Sequence, residues 1–145
     1  MDAIVAKVNM LVEKYDSSSP FKIADNLGIQ IIYENLGGTL GYYNRAFRMK
    51  SIHINENVSD GQKMFICSHE LGHAVLHPEA NTPFLKKHTL FSTEQIELEA
   101  NYFAIQMLFS KNHFNGQITI EEAIEEFNIP RKLIENNLSN NYFFK

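Results

Sequence analysis

Several classes of protein depend on features that this sequence has little of. The 145-residue chain has one cysteine, Cys67, so it cannot form an internal disulfide or a cysteine-based metal cluster. It has 13 Lys and Arg against 17 Asp and Glu, a net charge of −4, which leaves no excess of positive charge to neutralise a phosphate backbone. No apolar run approaches the roughly 18 residues that cross a bilayer. We therefore expect no direct contact with nucleic acid or membrane, and any metal must be held by His, Asp or Glu.

The length and the start of the chain predict one cytoplasmic domain. With 44% hydrophobic residues, 145 residues can bury a single core but are too few for two. The opening sequence MDAIVAKVNM contains an acid and a base and is not followed by the apolar segment of a secretory signal. We expect a single domain over residues 1–145, with its core at about 19–110 and a C-terminal helical pair at about 119–139.

Hydrophobic periodicity predicts helices at the start of the chain and a small sheet after them. Apolar residues at helical spacing indicate a first helix over about residues 4–15. Ser19 before Pro20 indicates a second, short helix that Gly28 ends. From residue 29 to 55, β-branched and aromatic residues alternate with polar ones, which predicts about three strands, mainly antiparallel.

The remaining chain has the periodicity of helices. Ser59 or Asp60 can cap a helix that carries apolar residues from Met64 to Leu76 and that Pro78 ends. This helix is apolar nearly all round, so it should be buried. Ser92 with Gln95 predicts a capping box for a helix over about residues 93–110, and Thr119 with Glu122 predicts another for the terminal pair. The expected fold class is α+β, with several helices around a small sheet.

The sequence His69-Glu70-Leu71-Gly72-His73 lies in the middle of the predicted buried helix. Residues four apart share one helical face, so His69 and His73 can reach one divalent ion. Glu70 is turned about 100° away and can approach a water molecule at the ion as a general base. This is the pattern of a zinc hydrolase.

A catalytic zinc usually has three protein ligands, so a further ligand should lie downstream. Glu97 and Glu99 point to opposite sides of the next helix, and only one of them can face the ion. Glu97 is favoured because Asn101 lies on its own face and could accept a hydrogen bond from a ligating imidazole. Glu99 remains the alternative. His77 lies too far along the helix to join the other two histidines, so we assign it to helix packing or a C-terminal cap.

Other histidines and tyrosines offer weaker signals. His53, His88 and His113 have no partners at ligand spacing and are interpreted as ordinary strand or surface residues. Candidates for stabilising an oxyanion are Tyr42, Tyr43, Tyr102 or a loop residue, and the sequence does not choose among them. Without a metal, the paired histidines and glutamates would form a buried hydrogen-bonded network. That alternative is disfavoured because a buried carboxylate without a partner costs several kcal/mol.

Three segments together resemble one known family, the ImmA/IrrE-type metallopeptidases. They are SPFKIADNLGIQI, HINENVSDGQKMFICSHELGHAVLH and IELEANYFAIQMLFS, which extend from about residue 19 to 110. The family pairs HELGH with a helix of the form E-x-[EQ]-A-N-x-F-A, so the resemblance also supports Glu97 as a metal ligand. Family members often end this helix in Leu-Leu-Met-Pro, where this chain has Met-Leu-Phe-Ser at residues 107–110. The departure concerns the helix end and does not affect the ligands.

The resemblance implies a zinc endopeptidase of the minimal zincin type with one Zn²⁺ per chain, bound by His69, His73 and Glu97. Related members from phages and integrative conjugative elements are antirepressors that cleave a helix-turn-helix repressor, so the resemblance implies the same partner here. The main alternative is a non-catalytic, zinc-containing antirepressor that only sequesters the repressor, and the intact Glu70 argues against it. Direct DNA binding by a helix pair is a weaker alternative, since acidic residues dominate the terminal pair.

Overall fold

The computed structural model describes residues 2–80, 82–110 and 118–138. Within these ranges the chain forms six α-helices, one 3₁₀-helix and one three-stranded sheet, which confirms the α+β class. The elements are α1 (Asp2–Tyr15), α2 (Pro20–Asn26), β1 (Gln30–Glu34), β2 (Gly41–Ala46), β3 (Met49–Asn55), α3 (Asp60–Leu76), the 3₁₀-helix (Lys87–Phe91), α4 (Gln95–Leu108), α5 (Ile120–Phe127) and α6 (Arg131–Asn137).

The sheet has the order β1-β3-β2, with β3 in the middle. β2 and β3 form an antiparallel hairpin whose two-residue turn, Phe47-Arg48, has positive φ at both positions, as the tight hairpin turns require. β1 pairs with β3 in parallel. The expectation of a mainly antiparallel sheet was therefore wrong in this respect, and the sheet is mixed. Alternating polarity identifies a strand but does not fix the direction of its neighbour, and residues 35–40 carry the chain across β3 to the far edge.

Helix α3 lies between the sheet and α4. Ile52 and Ile54 on one face of β3 are fully buried, and so is most of α3 from residue 65 to 74. A Cβ atom at Gly72 would lie 3.1 Å from the Cβ of Phe103 on α4, tighter than most real Cβ contacts. The glycine thus allows a close approach of α3 and α4 at the level of the HELGH sequence.

Side-chain caps begin three of the helices as predicted, but not α4. Ser19, Ser59 and Thr119 each accept a hydrogen bond from the backbone N–H three residues later. The predicted Ser92–Gln95 capping box does not form, since α4 begins at Gln95 with Glu94 as its N-cap. Ser92 instead ends the 3₁₀-helix, and its hydroxyl accepts from the N–H of Glu94. In the described ranges, no helix has both the length and the apolar character that crossing a membrane requires.

Candidate metal centre

His69 and His73 lie one turn apart on the buried face of α3. Both side chains are fully buried, and their ring centroids are 4.9 Å apart with the ring planes nearly perpendicular. Because the helix is enclosed by the sheet on one side and α4 on the other, the rings have little freedom to turn. The four-residue spacing therefore presents two imidazoles to one small region of the interior.

Helix α4 brings Glu97 and Asn101 to the same region. The carboxylate oxygens of Glu97 lie 3.0 Å from His69 Nε2 and 3.1 Å from His73 Nε2. Asn101 Oδ1 lies 2.9 Å from His69 Nδ1. The Glu-x-x-x-Asn spacing predicts such a contact with a ligating imidazole, without choosing between His69 and His73. The Asn101 amide also donates to the carbonyl of Leu90, which keeps its oxygen towards the histidine.

The hydrogen-bond partners of His69 fit a cation at its Nε2 atom. Nε2 faces the Glu97 carboxylate and Nδ1 faces the Asn101 oxygen, so both ring nitrogens meet acceptors. A neutral imidazole has only one N–H and can satisfy only one of them. A divalent cation between Nε2 and Glu97 would leave that single N–H for Asn101. This donor set, two imidazoles and one carboxylate, is one that zinc accepts.

Glu70 is fully buried beside the two histidines. His69, Glu70 and His73 each offer a donor atom within 4.8 Å of the others. Neither oxygen of Glu70 accepts a well-formed hydrogen bond in the described part of the protein, although the backbone N–H of Tyr43 lies close enough to act on the carboxyl group. Burial raises the pKa of Glu70 from 4.5 to about 8, although the charge of His73 and the backbone N–H of Tyr43 act in the opposite direction. Burying a carboxyl group without a well-formed hydrogen bond costs free energy of folding, and such groups are typical of functional sites.

Glu97 differs from Glu70 in its surroundings, and its pKa shifts in the opposite direction. Burial alone would raise its pKa, but hydrogen bonds from His69 and His73 outweigh burial and lower the pKa to about 2. Glu97 is therefore the carboxylate held between both imidazoles, whereas Glu70 lies beside them without partners. This contrast favours Glu97 as the cation ligand and leaves Glu70 free to exchange a proton.

Glu99, the alternative ligand, lies elsewhere. Its Oε1 atom is 2.7 Å from His77 Nε2, and the Nδ1 atoms of His77 and His73 are 3.1 Å apart. Hydrogen bonds from Gln95 and then His77 lower the pKa of Glu99. His77 is the C-cap residue of α3, which is one of the two roles expected of it. Its ring also lies between His73 and Glu99 and contacts both side chains. Sequence reasoning missed this contact, although the four-residue spacing from His73 was a signal for it.

The remaining candidates lie outside this cluster. His53 contacts Glu34 at 2.6 Å and stacks on Tyr42, while His88 is exposed and His113 is outside the described residues. The hydroxyl of Tyr42 donates to Glu34, and that of Tyr43 donates to the carbonyl of Pro78. Each of these two hydroxyls therefore donates to a group other than an oxyanion of a substrate.

Strand β2 forms the edge of the sheet next to Glu70. Ala46 and Met49 close the hairpin, so alternate β2 residues from Ala46 back to Tyr42 bond to β3. Tyr43 and Arg45 then direct their backbone N–H and C=O groups to the outer edge. Leu85 occupies that edge only at its start, where it bonds to Leu40 and Gly41. Beyond Gly41, no other strand pairs with this edge within the described residues; Tyr43 is buried there and Arg45 is exposed.

Comparison with known families identifies a metallopeptidase family. The family model of the IrrE N-terminal-like domain, Peptidase M78, matches residues 24–139. The chain belongs to this family, as the resemblance predicted.

Two relatives and one solved structure show what the chain is similar to. It is 40% identical over 135 residues to "Uncharacterized immunity region protein 2" of Bacillus phage phi105, covering 90% of this chain and 85% of the relative. It is 27% identical over 141 residues to "Metallopeptidase ImmA" of Bacillus subtilis (strain 168), covering 92% and 82%. A Mycobacterium tuberculosis transcriptional regulator has a similar fold, with a TM-score of 0.55 at 12% identity. That match covers 92% of this chain but only 45% of the regulator, and it shows the fold alone.

Proposed function

We propose that the protein is a zinc-dependent endopeptidase with one Zn²⁺ per chain. His69, His73 and Glu97 would hold the ion, and Glu70 would act as the general base. The observation that carries the proposal is the buried arrangement in which both Nε2 atoms face Glu97 while Glu70 lies within reach and accepts no well-formed hydrogen bond. A structural role alone does not account for an unpartnered carboxyl group in the core.

Peptide hydrolysis needs a group that removes a proton from water and later gives it to the leaving amine. Zinc, when bound, acidifies water and polarises a carbonyl group. A Glu70 oxygen would accept the proton as water attacks the peptide carbonyl and then transfer it to the amine nitrogen. The ionised carboxylate of Glu70 can take up this proton, and the carboxylic acid so formed can release it to the amine.

The open edge of β2 would bind the substrate. An extended peptide can add to an exposed sheet edge through backbone hydrogen bonds, and here Tyr43 and Arg45 offer such groups. The backbone of Tyr43 is also close enough to influence Glu70. A peptide bound along this edge would therefore pass directly in front of Glu70.

The proposed substrate is a helix-turn-helix transcriptional repressor of a prophage or mobile element, which makes the protein an antirepressor of the cytoplasm. The relatives support this choice through their descriptions, an immunity region protein of a phage and a metallopeptidase. The net charge of −4 supports a protein partner rather than DNA.

Metal content and repressor cleavage test the proposal together. Mass spectrometry should find about one zinc in the wild type and in Glu70→Gln, but none in Glu97→Ala. Glu94→Ala is the matched control, because Glu94 is an exposed glutamate that precedes the same helix. Incubated with candidate repressors, the wild type and Glu94→Ala should produce fragments, whereas Glu70→Gln and Glu97→Ala should not.

The two measurements separate the alternatives. Zinc in the wild type, with repressor binding but no cleavage, would favour the sequestering antirepressor. A wild type without zinc would contradict the proposed site itself. Repressor cleavage by Glu70→Gln at the wild-type rate would exclude Glu70 as the general base.

A further inference from the structure

We infer that His77 and Glu99 act as positioning residues that hold His73 in the tautomer required for metal binding. The inference rests on the proposed function, because it assumes that His73 is a ligand. It assigns a purpose to two residues that lie outside the donor set. Neither residue would touch the ion, and both would act through His73.

One continuous chain of hydrogen bonds runs from His73 through His77 and Glu99 to Gln95. His73 Nδ1 and His77 Nδ1 are 3.1 Å apart, His77 Nε2 and Glu99 Oε1 are 2.7 Å apart, and Gln95 Nε2 donates to Glu99 Oε2 at 3.0 Å. The side chain of His77 is 11% exposed and that of Glu99 is 29% exposed. The chain thus runs from the buried site to the surface between α3 and α4.

The carboxylate at the outer end determines the direction of every bond. Ionised Glu99 can only accept, so His77 Nε2 must be the donor. A neutral His77 then has a lone pair at Nδ1 and can only accept from Nδ1–H of His73. With its single N–H used there, His73 presents the lone pair of Nε2 to the position between Nε2 and Glu97. The opposite tautomer of His77 would force the proton of His73 onto Nε2, where it would exclude a cation.

The two proposed histidine ligands therefore have different supports. His69 donates to a neutral amide oxygen, that of Asn101. His73 donates to a second imidazole, that of His77, which is itself bonded to the Glu99 carboxylate. The hydrogen-bonded chain behind His73 is therefore longer, ends in a charged group and is partly exposed to solvent. Groups that orient a ligating histidine change metal affinity by about 10- to 100-fold when they are replaced. We expect this magnitude for His77 and Glu99.

Zinc titration of the metal-stripped protein tests the inference without any cleavage assay. Competition with a chromophoric chelator gives the zinc Kd of the wild type, His77→Leu, Glu99→Leu and the double variant. His77→Leu should bind zinc about 10- to 100-fold more weakly. The double variant should bind no more weakly than His77→Leu, because Glu99 acts only through His77. Exposed His88 and Glu94 supply the matched controls, His88→Leu and Glu94→Leu, which should bind as the wild type does.

A conservative variant separates the hydrogen bond from packing. Glutamine in His77→Gln has an oxygen that can accept from His73 and an amide that can donate to Glu99, so most of the wild-type affinity should return. The Co²⁺ absorption spectrum of His77→Gln should also resemble that of the wild type, while that of His77→Leu should differ. Urea unfolding of each metal-free variant measures the effect of the substitution on the fold itself.

Three results would overturn the inference: equal zinc affinity in the wild type and His77→Leu, additive effects in the double variant, or equal losses in His77→Gln and His77→Leu. If His77→Leu does not fold without metal, the comparison of Glu99→Leu with Glu94→Leu decides, and equal affinities would overturn it. A wild type that binds no zinc would instead contradict the proposed function, so the two failures are distinguishable.

Discussion

At the residue scale, Glu70 is the group whose burial is hardest to explain by stability. A carboxyl group in the core without a hydrogen-bond partner favours the protonated form, which is why its pKa rises to about 8. In the unfolded chain the same group ionises near 4.5. Between these two pH values the unfolded state releases a proton that the folded, metal-free state retains. The folded state therefore becomes less stable as the pH rises through this interval.

We predict that the metal-free protein loses stability from pH 5 to pH 8 and that Glu70→Gln removes most of this loss. The interval from 4.5 to about 8 corresponds to an upper value of roughly 5 kcal/mol. Glu97 does not change the free energy of unfolding across this pH range. Its pKa is lowered to about 2, so its stabilising contribution is lost only as the pH falls below 4.5. Urea unfolding of metal-stripped wild type and Glu70→Gln across this range provides the test. Parallel stability curves for the two proteins would contradict the prediction.

Spacing along one helix allowed some contacts of the site to be predicted, but not those that depend on where two helices cross. The i, i+4 relation placed His69 with His73 and Glu97 with Asn101 because helical geometry alone fixes those faces. It also indicated that Asn101 contacts a ligating imidazole, and the structure identifies that imidazole as His69. The pairing of His77 with Glu99 depends on how closely α3 and α4 approach beyond Gly72, and a single sequence does not specify that distance.

At the element scale, local signals predicted which elements form more reliably than how they are joined. Three of the four predicted side-chain caps form, since a cap involves only neighbouring residues. The start of α4 was misplaced because the preceding 3₁₀-helix uses Ser92 as its end. The parallel pairing of β1 was not predicted, since it is decided by contacts between β1 and β3 that lie far apart in the chain.

The unpaired outer edge of β2 leads to a prediction about substrate binding. Proline at Arg45 would remove an N–H that points away from β3, so the β2–β3 hairpin should persist. Arg45→Pro should therefore bind zinc as the wild type does but cleave the repressor at least about tenfold more slowly, the loss expected for about 1.4 kcal/mol of a substrate hydrogen bond. Metal content and initial cleavage rates measure the two effects.

Arg45→Ala is the control for this prediction, because it removes the ion pair of Arg45 with Glu79 but retains the backbone N–H. It should cleave substantially faster than Arg45→Pro. Asn44→Pro, one residue earlier, would remove an N–H that pairs with β3 and should destabilise the hairpin. Equal cleavage by Arg45→Pro and Arg45→Ala would exclude edge pairing at this residue.

At the scale of the whole molecule, the proposed metal site joins the two helices that form the centre of the fold. His69 and His73 belong to α3 and Glu97 to α4, and both helices contribute heavily to the buried core. An ion bound by all three would link these helices directly. The unfolded chain would hold the ligands far apart, so metal binding should be coupled to folding.

Zinc should therefore raise the unfolding temperature, and chelation should lower it. A ligand at 100 times its Kd stabilises the folded state by about 2.7 kcal/mol, which for a chain of this size corresponds to roughly 5 to 10 °C. Differential scanning calorimetry with and without zinc measures the shift, and Glu97→Ala should lose it. Glu94→Ala should keep it, because an exposed carboxylate outside the site contributes nothing to the link between α3 and α4. An equal shift in Glu97→Ala and the wild type would mean that zinc binds elsewhere on the molecule.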